Sequence, residues 1–168
     1  GTWTRTYDHA PDSNRLLSTS TGSGSPLNYD YDDHGSMLNL GSRPVEYELR
    51  WDYRDMIRSA NLGGGGWAYY NYDSAKQRTR KAIHHRDGHL QWERVYLDGM
   101  ELYRGYTASG AVTEEIETHH LFIGDERVLI IDEVLETDDS DLGEGTLFRY
   151  QHGNHLGSVT LELDASAA

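Results

Sequence analysis

The chain has no cysteine among its 168 residues. Disulfide frameworks, cysteine-ligated zinc and thiol catalysis are therefore excluded. No apolar stretch approaches the ~18 residues a membrane helix needs, so nothing reads as a membrane-spanning helix. Proline occurs three times and phenylalanine twice. Basic residues are scarce in one region only. Residues 95–168 hold 3 Lys or Arg against 16 Asp or Glu, while residues 1–94 hold 12 of each. The whole net charge of -13 thus lies in the C-terminal half. Such a field repels a phosphate backbone and an anionic lipid surface, which argues against nucleic-acid and membrane partners. The opening Gly1-Thr2-Trp3-Thr4 does not read as a signal peptide. Both ends read as though cut from a longer chain.

What is abundant is tyrosine and glycine: 12 Tyr, 4 Trp and 18 Gly. So many large rings oppose disorder. Together with the glycines they suit short strands joined by tight turns, with rings half buried between neighbours. Val45–Trp51 alternates apolar and charged residues with the period of a strand. Trp92–Leu97, Thr118–Ile123, Val128–Ile131 and Ser158–Leu163 also favour strands.

An aromatic-Asp pair recurs. Tyr7-Asp8, Tyr31-Asp32, Trp51-Asp52 and Tyr72-Asp73 follow one another at steps of 24, 20 and 21. After each comes a polar connection and a new strand-like run. The spacing predicts consecutive hairpins. The aromatic ends one strand against the core, and Asp caps the turn by accepting backbone N–H groups. Gly35 supplies the positive φ that a short turn requires.

These residues resemble the RHS/YD-repeat family, and most of all the shell-forming C-subunits of Tc-type insecticidal toxin complexes. Tyr29–Met37, Leu49–Ala60, Tyr70–Lys81 and Glu93–Glu101 are similar to its repeat segments. The sixteen-residue block Arg149–Asp164, which contains Tyr150, Asn154, His155, Leu156 and Gly157, resembles its RYxxxNHLGSxxLELD signature. The resemblance implies an all-β chain of consecutive antiparallel hairpins in a curved sheet strip, a fragment of a hollow β-shell. It implies one domain over 1–168, with approximate repeats 1–28, 29–48, 49–69 and 70–94 and a core-like segment 95–168 holding an acidic loop at 132–145. It also implies a structural role for His155 in the NHLGS turn. Shells of this family enclose a cytotoxic effector and carry an aspartyl autoprotease after the NHLGS block. No D-P-x-G motif occurs here, so no catalytic Asp is assigned. The expected partners are the remainder of a larger shell and its enclosed effector, with self-association of the isolated chain. The expected setting is secreted, as part of a larger toxin.

Other constellations read as scaffold. His84, His85 and His89, the adjacent His119 and His120, and His152 with His155 invite a metal. Neighbouring strand residues point to opposite faces, so these spacings predict no metal centre and no cofactor. The run from Asp132 to Glu144 fails the calcium-loop pattern of oxygens at positions 1, 3 and 5 and reads as a solvated loop. With no nucleophile elbow, phosphate loop or dinucleotide fingerprint, no enzyme is expected. Gly63–Gly66 reads as a hairpin tip. Beside it Trp67, Tyr69 and Tyr70 are candidate glycan contacts, which is the alternative reading: an extracellular carbohydrate- or cell-surface-binding β module.

Overall fold

The computed structural model describes residues 4–40, 48–154 and 158–166. Among them there is no helix, and the all-β expectation holds. The chain divides into two compact units, Gly1–Trp67 and Ala68–Ala168, rather than the single domain read from the sequence.

The first unit holds β1 (Arg5–His9), β2 (Leu16–Thr21) and β3 (Leu27–Asn28), which form a three-stranded antiparallel sheet of their own. It also holds β4 (Leu49–Trp51) and β5 (Ile57–Gly63). Strand β6 (Gly66–Tyr72) carries the boundary between the units. The second unit continues with β7 (Arg78–His84), β8 (Leu90–Leu97), β9 (Met100–Tyr106), β10 (Val112–Ile123), β11 (Glu126–Thr137), β12 (Gly145–Gly153) and β13 (Val159–Leu163). From β4 to β13 the sheet order is the chain order, ten strands each beside its sequence neighbours. The strip is therefore real but begins at β4; the first three strands lie outside it.

One turn geometry recurs along the chain. Asp32 Oδ1 accepts the N–H groups of His34 and Ser36 at 3.0 and 2.8 Å, and Gly35 N–H donates to the Asp32 carbonyl at 3.0 Å. Asp52 repeats this with Arg54 and Met56 at 2.8 and 3.0 Å, and Asp73 caps Gln77 at 2.8 Å. The third residue after each Asp has positive φ: Gly35 at 90°, Asp55 at 61° and Lys76 at 64°. The aromatics before these turns anchor them. Tyr31 O–H donates to the Leu16 carbonyl at 2.9 Å, and Trp51 Nε1 donates to the Met37 carbonyl at 2.7 Å.

Two positions escape the repeat expectation. Tyr7 and Asp8 sit inside β1, paired with Thr19 and Ser18, and cap no turn. The third residue after Asp8 is Pro11, whose ring holds φ near -65° and forbids the required positive value. The acidic loop expected at 132–145 is also shorter. Asp132 to Thr137 belong to β11, and the connection is 138–144. In it Asp139 Oδ1 accepts the Asp141 N–H at 2.9 Å, so a carboxylate caps its own turn.

Lys76 occupies a left-handed conformation that costs a side-chain-bearing residue about 1–2 kcal/mol and glycine almost none. After the unfolded-state entropy that glycine adds, Lys76→Gly is expected to stabilise the chain by about 0.5–1 kcal/mol. A higher urea midpoint checks this; a lower one would mean that what the Lys76 side chain contributes outweighs the backbone strain.

Candidate functional site

Register and strand alternation assign the side chains of the second unit to two faces. On the first, Arg94 stands opposite Tyr103, which stands opposite Ile116, which stands opposite Val134. This face carries a polar network that spans six strands, β8 to β13. Arg94 pairs with Glu101 at 2.8 Å, and Glu101 lies 3.3 Å from His120 Nε2. Asp132 accepts from Thr118 Oγ1 at 2.6 Å and from Arg149 Nε at 2.8 Å. Arg127 donates to Gln151 at 3.4 Å, and Gln151 bonds Glu162. The network floors an open depression of about 470 Å³ bordered by Ile116, Ile130, Val134 and Leu147.

On the second face an ion-pair ladder runs from β7 to β10. Arg80 binds Glu93 at 2.6 Å, and Arg104 grips Glu115 through two hydrogen bonds of 2.7 and 3.2 Å. Beyond it the same face turns apolar: Leu97, Met100, Leu102, Leu129, Ile131 and Phe148. Leu97 and Phe148 remain 51% and 37% exposed. The like charges Glu117 and Glu133 stand directly opposite there, with His119 Nε2 at 4.0 Å from Glu117.

Two carboxylates and a phenol are among the shifted groups on the second-face ladder. Desolvation pushes the Glu93 carboxyl up, but hydrogen bonds from Tyr106 and Arg80 outweigh it and hold the group below the usual carboxylate range. The hydrogen bond from Arg104 lowers Glu115. Burial and Glu93 push the Tyr106 phenol up to about 12. Carboxylates depressed in the fold stabilise it above their unfolded values near 4.5 and lose that contribution as pH falls through the folded values. A raised phenol stabilises below its unfolded value of 10.0 and loses the contribution as pH climbs towards about 12. The urea midpoint is expected to be flat between these limits and to fall outside both, with Glu93→Gln flattening the acid limb. An unchanged acid limb in that variant would deny Glu93 the role.

The remaining site candidates separate. Strand alternation places Trp67 and Tyr69 on one face of β6 and Tyr70 and Tyr72 on the other, so they make no single stacking platform. Arg50 lies over the Trp67 ring at 4.6 Å, and Tyr69 meets His84 edge-on at 5.0 Å. Tyr150 lies in β12 opposite Leu129 and Leu163. Asn154 opens a turn of the YD kind, accepting the Ser158 N–H at 3.1 Å. His155, Leu156 and Gly157 lie outside the described residues.

Two turns of the same frame went unread in the sequence. His85 and Thr107 each begin one, closed at His89 and Ala111, with Gly88 and Gly110 at φ 92° and 86°. The available signal was glycine three residues after a polar residue. The first of these lies just past the end of β7, so the strand alternation that separates His84 from His85 does not govern His85, Asp87 and His89. A bulge between Ile83 and His84 feeds a turn, not a strand, and His85, Asp87 and His89 converge there. His89 N–H lowers the Asp87 carboxyl.

No family model and no curated protein sequence matches the chain. Solved structures do. The crystal structure of TcdB2-TccC3 matches at TM-score 0.61 and 19% identity, over 98% of this chain and 9% of the other. The chain shares its fold with TcdB2-TccC3. TcdB2-TccC3-Cdc42 matches at TM-score 0.60 and TcdB2-TccC3-TEV at 0.59, both at 18% identity with the same coverage. The similarity to RHS/YD-repeat chains is thus shown in the fold. This chain spans about a tenth of the length of TcdB2-TccC3.

Proposed function

We propose that this chain is a stretch of wall in an RHS/YD-type shell that encapsulates or presents a toxin effector, secreted as part of a larger toxin and without catalysis of its own. The observation that carries the reading is the sheet of the second unit. Its strands form a single layer, whereas a free-standing domain packs two layers around a core. Among the described residues no large side chain is fully buried, and the buried apolar set is Ala68, Ala82, Ile83, Ile130 and Val134. A layer that leaves Leu97, Leu121, Phe148 and Leu161 at 37–51% exposure is suited to line a space and face a client. The fold match to about a tenth of a far longer chain supports the same reading.

Limited proteolysis of the full-length protein that carries these residues tests it. The enclosed segment is expected to resist cleavage until the wall is opened by denaturant. An equally accessible segment in the native protein would contradict encapsulation. Glycan binding lost on Trp67→Ala would point instead to a surface-binding module.

The isolated chain is expected to self-associate. β13 ends the sheet beside β12 alone, with Val159 and Leu161 43% and 51% exposed, and an open strand edge recruits other strands. Light scattering that rises with concentration, and falls for Leu161→Lys, supports this; a strict monomer opposes it.

A further inference from the structure

Three side chains at the β7–β8 turn meet in a way the wall does not require. In the other turns of this frame the first residue is Asp32, Asp52, Asp73, Thr107 or Asn154, whose oxygen accepts the N–H that closes the turn. His85 holds that first position here and His89 the closing one. The capping acceptor moves to Asp87, whose Oδ1 takes the His89 N–H at 3.2 Å. Capping therefore explains Asp87 but requires no imidazole at position 85 or 89.

We propose that His85, Asp87 and His89 form a binding site for a divalent transition metal of the zinc type. One ligand atom from each of the three lies within 4.8 Å of the others. His85 Nδ1 stands 3.4 Å from Asp87 Oδ1, and His89 Nδ1 is hydrogen-bonded to the same oxygen. Tetrahedral zinc with bonds of about 2.0–2.1 Å sets its ligand atoms about 3.3–3.4 Å apart, so the first pair already has the needed spacing. His89 must withdraw from its hydrogen bond to Asp87, and the two rings must turn out of their stack to aim their lone pairs at one ion. The two rings are stacked, with centroids 4.9 Å apart and planes 29° from parallel.

The turn is held in place before any ion arrives. Gly88 N–H donates to the His85 carbonyl at 2.9 Å, and Gly88 takes a φ of 92° that other residues resist. His84 Nδ1 lies 2.9 Å from the Gly88 carbonyl and donates to it, while its ring packs against Tyr69. His84 is thus a brace and not a ligand. Two imidazoles and one carboxylate select zinc, cobalt, nickel or copper; calcium and magnesium prefer all-oxygen shells. Water completes the coordination, because His85 and Asp87 face solvent.

Calorimetric titration of zinc into the untagged 168-residue chain tests the site, with cobalt absorption reporting the geometry. One ion per chain is expected. His85→Gln with His89→Gln should weaken binding by roughly tenfold or more, as loss of two of three protein ligands demands. Asp87→Asn keeps an acceptor for the turn and should also weaken zinc, which separates ligation from turn folding. His119→Gln should leave the affinity unchanged, because Glu117, His119 and Glu133 make the other convergent set among the described residues. Absence of saturable binding, or binding that survives the double variant and disappears with His119→Gln, would overturn the assignment.

Discussion

Truncating Ile130 to alanine is expected to cost about 2–4 kcal/mol, a large share of a typical domain's 5–15 kcal/mol. Ile130 is 5% exposed, one of five buried apolar residues among those described. It stands opposite His120 on β10 and Arg149 on β12, among the side chains of the polar network. A sheet with one layer has little else to shield it from water, so the lost methylenes are not replaced by neighbours sliding in. Leu161→Ala, at a residue 51% exposed on the edge strand, should cost well under about 1 kcal/mol in the isolated chain. Urea unfolding of both variants checks the contrast. Equal costs would mean that a second layer covers Leu161 too.

Asp132→Ala should cost about 2 kcal/mol. Asp132 is 9% exposed and holds Thr118 at 2.6 Å and Arg149 through its Nε and Nη2 at 2.8 and 2.7 Å. Without it Arg149 keeps Glu162, 3.7 Å away. Breaking a fully buried pair costs roughly 3–5 kcal/mol, but the Arg149 side chain is 39% exposed and water recovers part of that. Asp132→Asn should cost less, since its amide oxygen still accepts from Thr118. A double-mutant cycle with Arg149→Ala should return a coupling of about 1 kcal/mol, within the range for contacting charged pairs. Zero coupling would reduce the network to solvated charges.

The turns were the legible part of the sequence, because a short polar side chain and a positive-φ residue three positions on are local signals. Asp32 with Gly35 shows both, and Asp8 with Pro11 fails for the same local reason. The dipeptide alone was the wrong unit; the pair at i and i+3 also finds His85 with Gly88 and Thr107 with Gly110. The second half of β11, Asp132–Thr137, is hidden because its three acidic residues mask its alternation. Asp132 can lie in a buried strand only because Arg149 answers it from β12, and sequence does not announce a partner in another strand. The faces were illegible for a related reason. Bulges between Ile83 and His84, Glu115 and Ile116, and Leu121 and Phe122 each reset which side chains align, and no residue type marks them. His85, Asp87 and His89 converge because they lie in the turn past the end of β7, where strand periodicity does not apply.

Cryo-electron microscopy of the full-length protein that contains residues 1–168 tests the wall directly. Strands β7–β13 are expected as one layer of a continuous shell, with one face towards an enclosed space and the other towards solvent. A second sheet or helices packed on both faces of those strands would contradict it.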